Sequence, residues 1–246
     1  MIIFAIGGGG NGRDGGPYEI KQFDKQIVKL AKVPKPHFLF VSFSQTTQEN
    51  ANSYYSLMQG HFTKLGCVCD HLSDQDLKDS FAIKDKIEKA NIIYVGGGNT
   101  LRLMQKLRKY NIDKLIKKAA QKNVVLCGVS AGAICWCNCG NSDSRKFTSN
   151  STQLIKVKGL GLLNVLMCPH YDVEQHRQPD LKRMMRTTKG VAIALDNCSA
   201  LQIVDNNYSV QKTKATAKAH KCFWKNGQYI VSELQGEGTI QQLTTK

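Results

Sequence analysis

The chain has 246 residues, 41% of them hydrophobic and 22% charged, a balance that supports one sizeable core and excludes disordered and fibrous classes. No apolar run approaches the ~18 residues that span a bilayer, and the Met1–Gly7 stretch lacks the basic start and long apolar core of a signal peptide. The formal net charge of +15 is spread along the chain with no nucleic-acid-binding motif beside it, so a solvated basic surface explains it better than a nucleic-acid footprint.

Residues 2–6 form an apolar run that stops at Gly7-Gly8-Gly9-Gly10-Asn11-Gly12, a strand feeding a glycine loop. The Gly7-x-Gly9-x-x-Gly12 spacing fits a dinucleotide fingerprint, but that site wants an acidic residue at the end of the second strand. Here the second strand, His37 to Phe43, leads only to Ser42 and Ser44. The loop is therefore expected to border a crevice, and no cofactor is expected. Helical spacing over about 18–32 and 48–65, a strand near Cys67–Cys69, a helix near 83–90 and a strand over Ile92–Val95 follow. Apolar strands alternating with amphipathic helices predict a mostly parallel α/β sheet with helices on both faces, in one domain over 1–246. Ligands of such sheets bind beyond the carboxyl ends of the strands.

The fourth strand ends in Gly96-Gly97-Gly98-Asn99-Thr100, where backbone N–H groups suit an oxyanion hole and Asn99 and Thr100 suit a helix cap. The fifth strand runs into Gly128-Val129-Ser130-Ala131-Gly132, the pattern of a nucleophile elbow: a strained strand-to-helix turn that exposes one hydroxyl. Cys135, Cys137 and Cys139 alternate without a Cys-x-x-Cys pair or a histidine cluster, so they read as buried thiols and no metal site is expected. Nine cysteines without framework spacing predict unbridged thiols in a reducing cytoplasm. In that setting the Asn-x-Ser/Thr matches at Asn150, Asn197 and Asn207 carry no glycosylation meaning.

A polar turn over Gly140–Ser144 precedes another strand, Leu162–Cys168, that ends in Pro169-His170-Tyr171-Asp172. A histidine at that strand end is expected on the same sheet edge as Ser130, and its unperturbed pKa of ~6.5 suits a general base. Residues 174–187 read as a basic helix, and strand-like runs from Val191 to Leu234, with turns at Asn206-Asn207 and Asn226-Gly227, predict C-terminal hairpins.

The Gly96–Thr100, Gly128–Ala133, Ser142–Ser144 and Cys168–Asp172 segments together, in this order, resemble peptidase E, a serine dipeptidase family with a class I glutamine-amidotransferase-like fold. The resemblance spans residues 1 to about 205. It implies Ser130 as nucleophile, His170 as base and Asp143 as the orienting carboxylate; Asp172, Glu174 and Asp196 also fall near expected strand ends and stay open as the acid. It also implies an oxyanion hole from Gly97, Gly98 and Ala131, with Arg177, helped by Asn99, as ligand of a small acidic peptide carrying an N-terminal aspartate. Relatives of the same fold, cyanophycinase among them, cleave other aspartyl compounds. An esterase and a basic nucleotide- or nucleic-acid-binding protein are the competing readings, no membrane partner is expected, and a homodimer is left open.

Overall fold

The apolar runs become the strands of two sheets rather than one. The computed structural model describes residues 1–173, 176–234 and 236–246. In the first sheet β1 (Ile2–Ile6), β2 (His37–Val41), β3 (Val68–Leu72), β4 (Ile92–Val95) and β5 (Val125–Val129) are parallel, in the order β1-β5-β4-β2-β3. A second sheet takes β6 (Cys137–Ser142), β7 (Ile155–Lys158), β8 (Leu163–Cys168) and β9 (Ala192–Leu195). The chain then returns to β1 with antiparallel β10 (Ser199–Val204) and β11 (Asn207–Lys212). β12 (Ala219–Lys225) and β13 (Gln228–Glu233) extend the second sheet, and β14 (Glu237–Thr239) closes the first. The Asn226-Gly227 hairpin joins β12 to β13 with φ of 49° and 77°, the left-handed pair that such a turn requires.

The period of two along β1 divides the core. Ile2, Phe4 and Ile6 face one side, packed with helices α1 (Lys21–Leu30) and α2 (Gln48–Thr63) through Phe23, Ile27, Met58 and Phe62. Ile3 and Ala5 face the other side. There they join one continuous cluster with α3 (Ser80–Lys89), α4 (Thr100–Lys109), α5 (Ile112–Ala120), α6 (Ala131–Trp136) and the second sheet. The expected mixed α/β architecture with helices on both faces is present, and its hydrophobic layers run through both sheets. Two short surface helices, α7 (Lys146–Ser149) and α9 (Ile240–Thr244), and α8 (Arg177–Met185) complete the chain. No helix among the described residues is long and apolar enough to cross a membrane.

One polar group interrupts the α1 face. Asp24 is 1% exposed, accepts a hydrogen bond from the Tyr18 hydroxyl, and has a second carboxyl oxygen without a partner among the described residues. Burial pushes its pKa up to about 7. A carboxyl raised in the folded state stabilises the fold in full below its unfolded pKa of ~3.9, and that contribution is lost as pH rises through 7. Asp24→Asn should therefore flatten the fall in melting temperature between about pH 4 and pH 8, a change on the order of 5 °C by differential scanning fluorimetry. An unchanged slope would show that Asp24 is ionised or solvated at neutral pH.

Candidate active site

β5 ends at Val129 and α6 begins at Ala131, so Ser130 occupies the turn between them. Its φ of 54° and ψ of −105° form a backbone conformation that non-glycine residues rarely hold. Close packing enforces the turn. A Cβ on Gly128 would lie 2.5 Å, and one on Gly132 2.1 Å, from the carbonyl oxygen of Val95 on β4. Cys127, Cys135 and Cys137 around the elbow are buried, and burial pushes their thiols up, away from reactivity.

β1 lies between β5 and β10, and its last carbonyl and the next one along the chain receive both central residues. Ser130 donates its N–H to Ile6 at 3.0 Å, and His170 donates its N–H to Gly7 at 3.1 Å. His170 follows β8, which belongs to the second sheet, so the expectation of a shared sheet edge is corrected. The serine and histidine follow strands of different sheets and dock on consecutive carbonyls where β1 ends.

His170 also has a positive φ, 53°, and its Nδ1 lies 2.8 Å from Oδ1 of Asn197. The Asn197 N–H in turn donates to the Asp172 carboxylate at 2.8 Å. Gly8 makes room for this pair, because a Cβ there would fall 2.1 Å from Asn197 Oδ1 and 2.4 Å from His170 Nδ1. The N-terminal glycine loop thus serves the close approach of His170, Asn197 and Cys198. With Nδ1–H donated to Asn197, the imidazole presents Nε2 as its acceptor.

Asp143 does not join that chain of contacts among the described residues. Ser142 donates its hydroxyl to Thr100 at 2.9 Å and Ser144 accepts the Leu101 N–H at 2.9 Å, which ties this segment to the start of α4. The Asp143 carboxylate stands 4.0 Å from the Arg177 guanidinium. Arg177 is only 1% exposed and donates to the Asn141 carbonyl at 2.6 Å, so it braces the end of β6 from inside rather than reaching over an open crevice. Asn99 is buried and caps α4, its Oδ1 accepting the Arg102 N–H at 3.0 Å. Of the alternative acids, Glu174 lies outside the described residues, Asp172 stands behind Asn197, and Asp196 accepts from the Lys218 N–H at 2.9 Å. Asn197 is the residue that sequence reasoning missed; its place just past β9, at a strand end, was the available signal.

The glycine run after β4 lies beside the elbow. A Cβ on Gly97 would stand 3.6 Å from the Ser130 Cβ, an ordinary contact that leaves the space over the serine open. Tyr54, packed against Gly96 of this run, is a buried phenol that desolvation pushes up to about 12. Gly98, with φ of 135°, continues the loop.

A serine held at a sharp strand-to-helix elbow above a parallel sheet is the arrangement of a serine-type hydrolase. The chain belongs to peptidase family S51, whose model matches residues 3–211. It is 30% identical over 221 residues to the uncharacterized peptidase YgaJ of Bacillus subtilis, covering 89% of this chain and 90% of that protein. Its fold is similar to a solved peptidase from an acI-B1 Actinobacterium, with a TM-score of 0.72 at 18% identity over 95% and 96% of the two chains. A putative peptidase E protein from Listeria monocytogenes EGD-e gives 0.60 at 19% identity over 95% and 98%. The chain is a serine-type peptidase.

Two outcomes follow from this geometry. Asn197→Ala should lower kcat by about 100-fold or more, because an unheld imidazole loses its tautomer and aim, while Asp143→Asn should cost kcat less than about tenfold. Steady-state kinetics of the pair would reverse the assignment if the losses were exchanged. Gly97→Ala should fold with a melting temperature within ~2 °C of wild type, since its Cβ meets neighbours at 3.4 Å or more. Its methyl would crowd the reacting carbonyl, so hydrolysis should fall by at least ~100-fold; full activity in that variant would place the substrate elsewhere.

Proposed function

We propose that this peptidase hydrolyses short peptides with an N-terminal aspartate, with Ser130 as nucleophile and His170 as its base. The observation that carries the reading is the docking of both residues on the consecutive carbonyls of Ile6 and Gly7 at the end of β1, which fixes their relation through backbone. Ser130 Oγ attacks the scissile carbonyl as its proton passes to His170 Nε2, and the oxyanion forms under the N–H groups of Gly98 and Ala131. His170 then protonates the leaving amine, and water releases the acyl group by the same route. Asn197 holds the imidazole, a neutral orienting partner of the kind cysteine peptidases also use. No cofactor enters this sequence. The nine cysteines, three of them buried around the elbow, suit a reducing cytoplasm.

The preference for an acidic end rests on a pocket of about 400 Å³ lined by Asp143, Lys146, Leu154 and His176. An N-terminal aspartate carries one cation, its α-ammonium, and one side-chain anion. Asp143 is suited to the first and Lys146 to the second, with Arg177 as the buried brace that keeps Asp143 in place. Here the family resemblance to Arg177 as the direct carboxylate ligand gives way to its burial.

The test is a panel of Asp-X, Glu-X, β-Asp and neutral dipeptides, a p-nitrophenyl ester, and wild type beside Ser130→Ala. Asp-X should be cleaved best and Ser130→Ala should be inert. Lys146→Ala should lower kcat/KM for Asp-X about tenfold relative to neutral dipeptides, the modest loss of a partly solvated charge pair. Equal turnover of neutral and acidic dipeptides overturns the substrate assignment. Faster ester cleavage favours an esterase, and salt-dependent retention of oligonucleotides in place of hydrolysis would favour the nucleic-acid reading.

A further inference from the structure

We infer that Ser44 and Gln45, just past the end of β2, are positioning residues that set the peptide plane of Gly97-Gly98 and so aim the Gly98 N–H at the oxyanion. The inference rests on Ser130 being the nucleophile and deepens that reading. Ser44 Oγ lies 2.9 Å from the Gly96 carbonyl and 2.8 Å from the Gly97 carbonyl. Gln45 Nε2 donates to the same Gly97 carbonyl at 2.5 Å. Gln45 is itself held, since its N–H donates to Ser42 at 2.9 Å and its carbonyl accepts from Arg102 Nε at 2.8 Å.

Sheet order converts these contacts into a direction. β4 lies between β5 and β2, so the loop after β4 has the Ser130 elbow on one flank and Ser44 and Gln45 on the other. In a planar trans peptide the C=O and N–H point in opposite directions. With the Gly97 carbonyl turned to the β2 flank, the Gly98 N–H turns to the β5 flank, where Ser130 stands. The same clamp demands glycine at 98: φ is 135°, and a Cβ would meet the Ser44 carbonyl oxygen at 2.7 Å and Gln45 Nε2 at 3.0 Å. A carbonyl with two side-chain donors on one strand end and a serine on the other is a preorganised dipole, the arrangement that stabilises charge developing in a transition state.

The experiment uses the full chain and two readouts. Asp-p-nitroanilide hydrolysis gives kcat and KM, and the rate of Ser130 labelling by a fluorophosphonate, followed by intact mass, reports oxyanion stabilisation without depending on substrate preference. Ser44→Ala and Gln45→Ala should each lower kcat and the labelling rate by about 10- to 100-fold, with KM within about threefold and melting temperature little changed. Gln45→Glu keeps the shape but turns an acceptor toward the Gly97 carbonyl. Its labelling rate relative to wild type should be lowest at pH 8 and recover toward pH 5, as the protonated acid regains a donor; loss of packing alone gives no such pH dependence. Unchanged labelling in both alanine variants, or losses in KM alone, would overturn the inference. Labelling of wild-type Ser130 without Asp-p-nitroanilide turnover would overturn the substrate reading and leave the clamp to be judged on labelling rates. Failure of wild-type Ser130 to label would overturn the clamp with the nucleophile.

Discussion

The last carbonyl of β1 and the one that follows it are the constraint on which the site depends. Ile6 takes the N–H of Ser130 from the first sheet and Gly7 takes the N–H of His170 from the second. Backbone bonds to one rigid strand fix both residues more tightly than side-chain contacts between them would, because strand carbonyls have no rotamers to search. β1 can serve this purpose because it is the strand at which the sheet changes character. It is parallel to β5 on one side and antiparallel to β10 on the other. Open α/β sheets place their ligands beyond the carboxyl ends of their parallel strands, the edge at which Ser130 follows β5.

From that strand the site is laid out along the sheet order. Asn197, at the entry to β10, orients the histidine; Ser130 stands at β5; the glycine run follows β4; Ser44 and Gln45 stand at β2. Each chemical role thus falls to a successive strand end, about 4.8 Å from its neighbour in a sheet. The second sheet contributes the imidazole and, through β6, the Asp143 segment that Ser142 and Ser144 tie to α4. Electrostatics follows the same division. Among the described residues the imidazole is held by the neutral amide of Asn197, and the carboxylate of Asp172 stands behind that amide.

Much of this was legible in the sequence. The elbow, the glycine run, the histidine at a strand end and the Asn226-Gly227 turn are local signals that stand where they were read, while the turn expected at Asn206-Asn207 falls one residue earlier, at Asp205-Asn206, because Asn207 already pairs with Val204. What was not legible is tertiary. A buried strand at Leu163–Cys168 looks the same whichever sheet it joins, so the composition of Leu163–Cys168 gave no sign of a second sheet. Cys137 and Cys139 belong to β6 rather than to a continued helix, because α6 stops at Trp136 after six residues. Asn197 is 27 residues from His170, and only the packing of Gly8 against both makes the amide a partner. Arg177 has the polarity of a surface ligand, and nothing in the basic run around it announces 1% exposure.

Backbone strain separates the site from the rest of the molecule. Of the described non-glycine residues with positive φ, Lys32 stands in the turn just past α1, and Asn111, Asn123, Asn150, Asp205 and Asn226 are of the two types whose short polar side chains tolerate the left-handed region in turns. Ser130, His170 and Cys198 are not, and all three sit against the Ile6–Gly9 segment. Such conformations cost on the order of 1–3 kcal/mol each and persist only where the surroundings over-determine them. Here the surroundings are identifiable: the Val95 carbonyl pressed on Gly128 and Gly132, and Gly7, Gly8 and Gly9 pressed on Asp196, His170 and Cys198. The glycines are therefore part of the chemistry at one remove. Each removes a Cβ so that a strained neighbour is held at the strand end, and stability given up at these three residues is recovered in the aromatic and aliphatic layers on either face of the sheet.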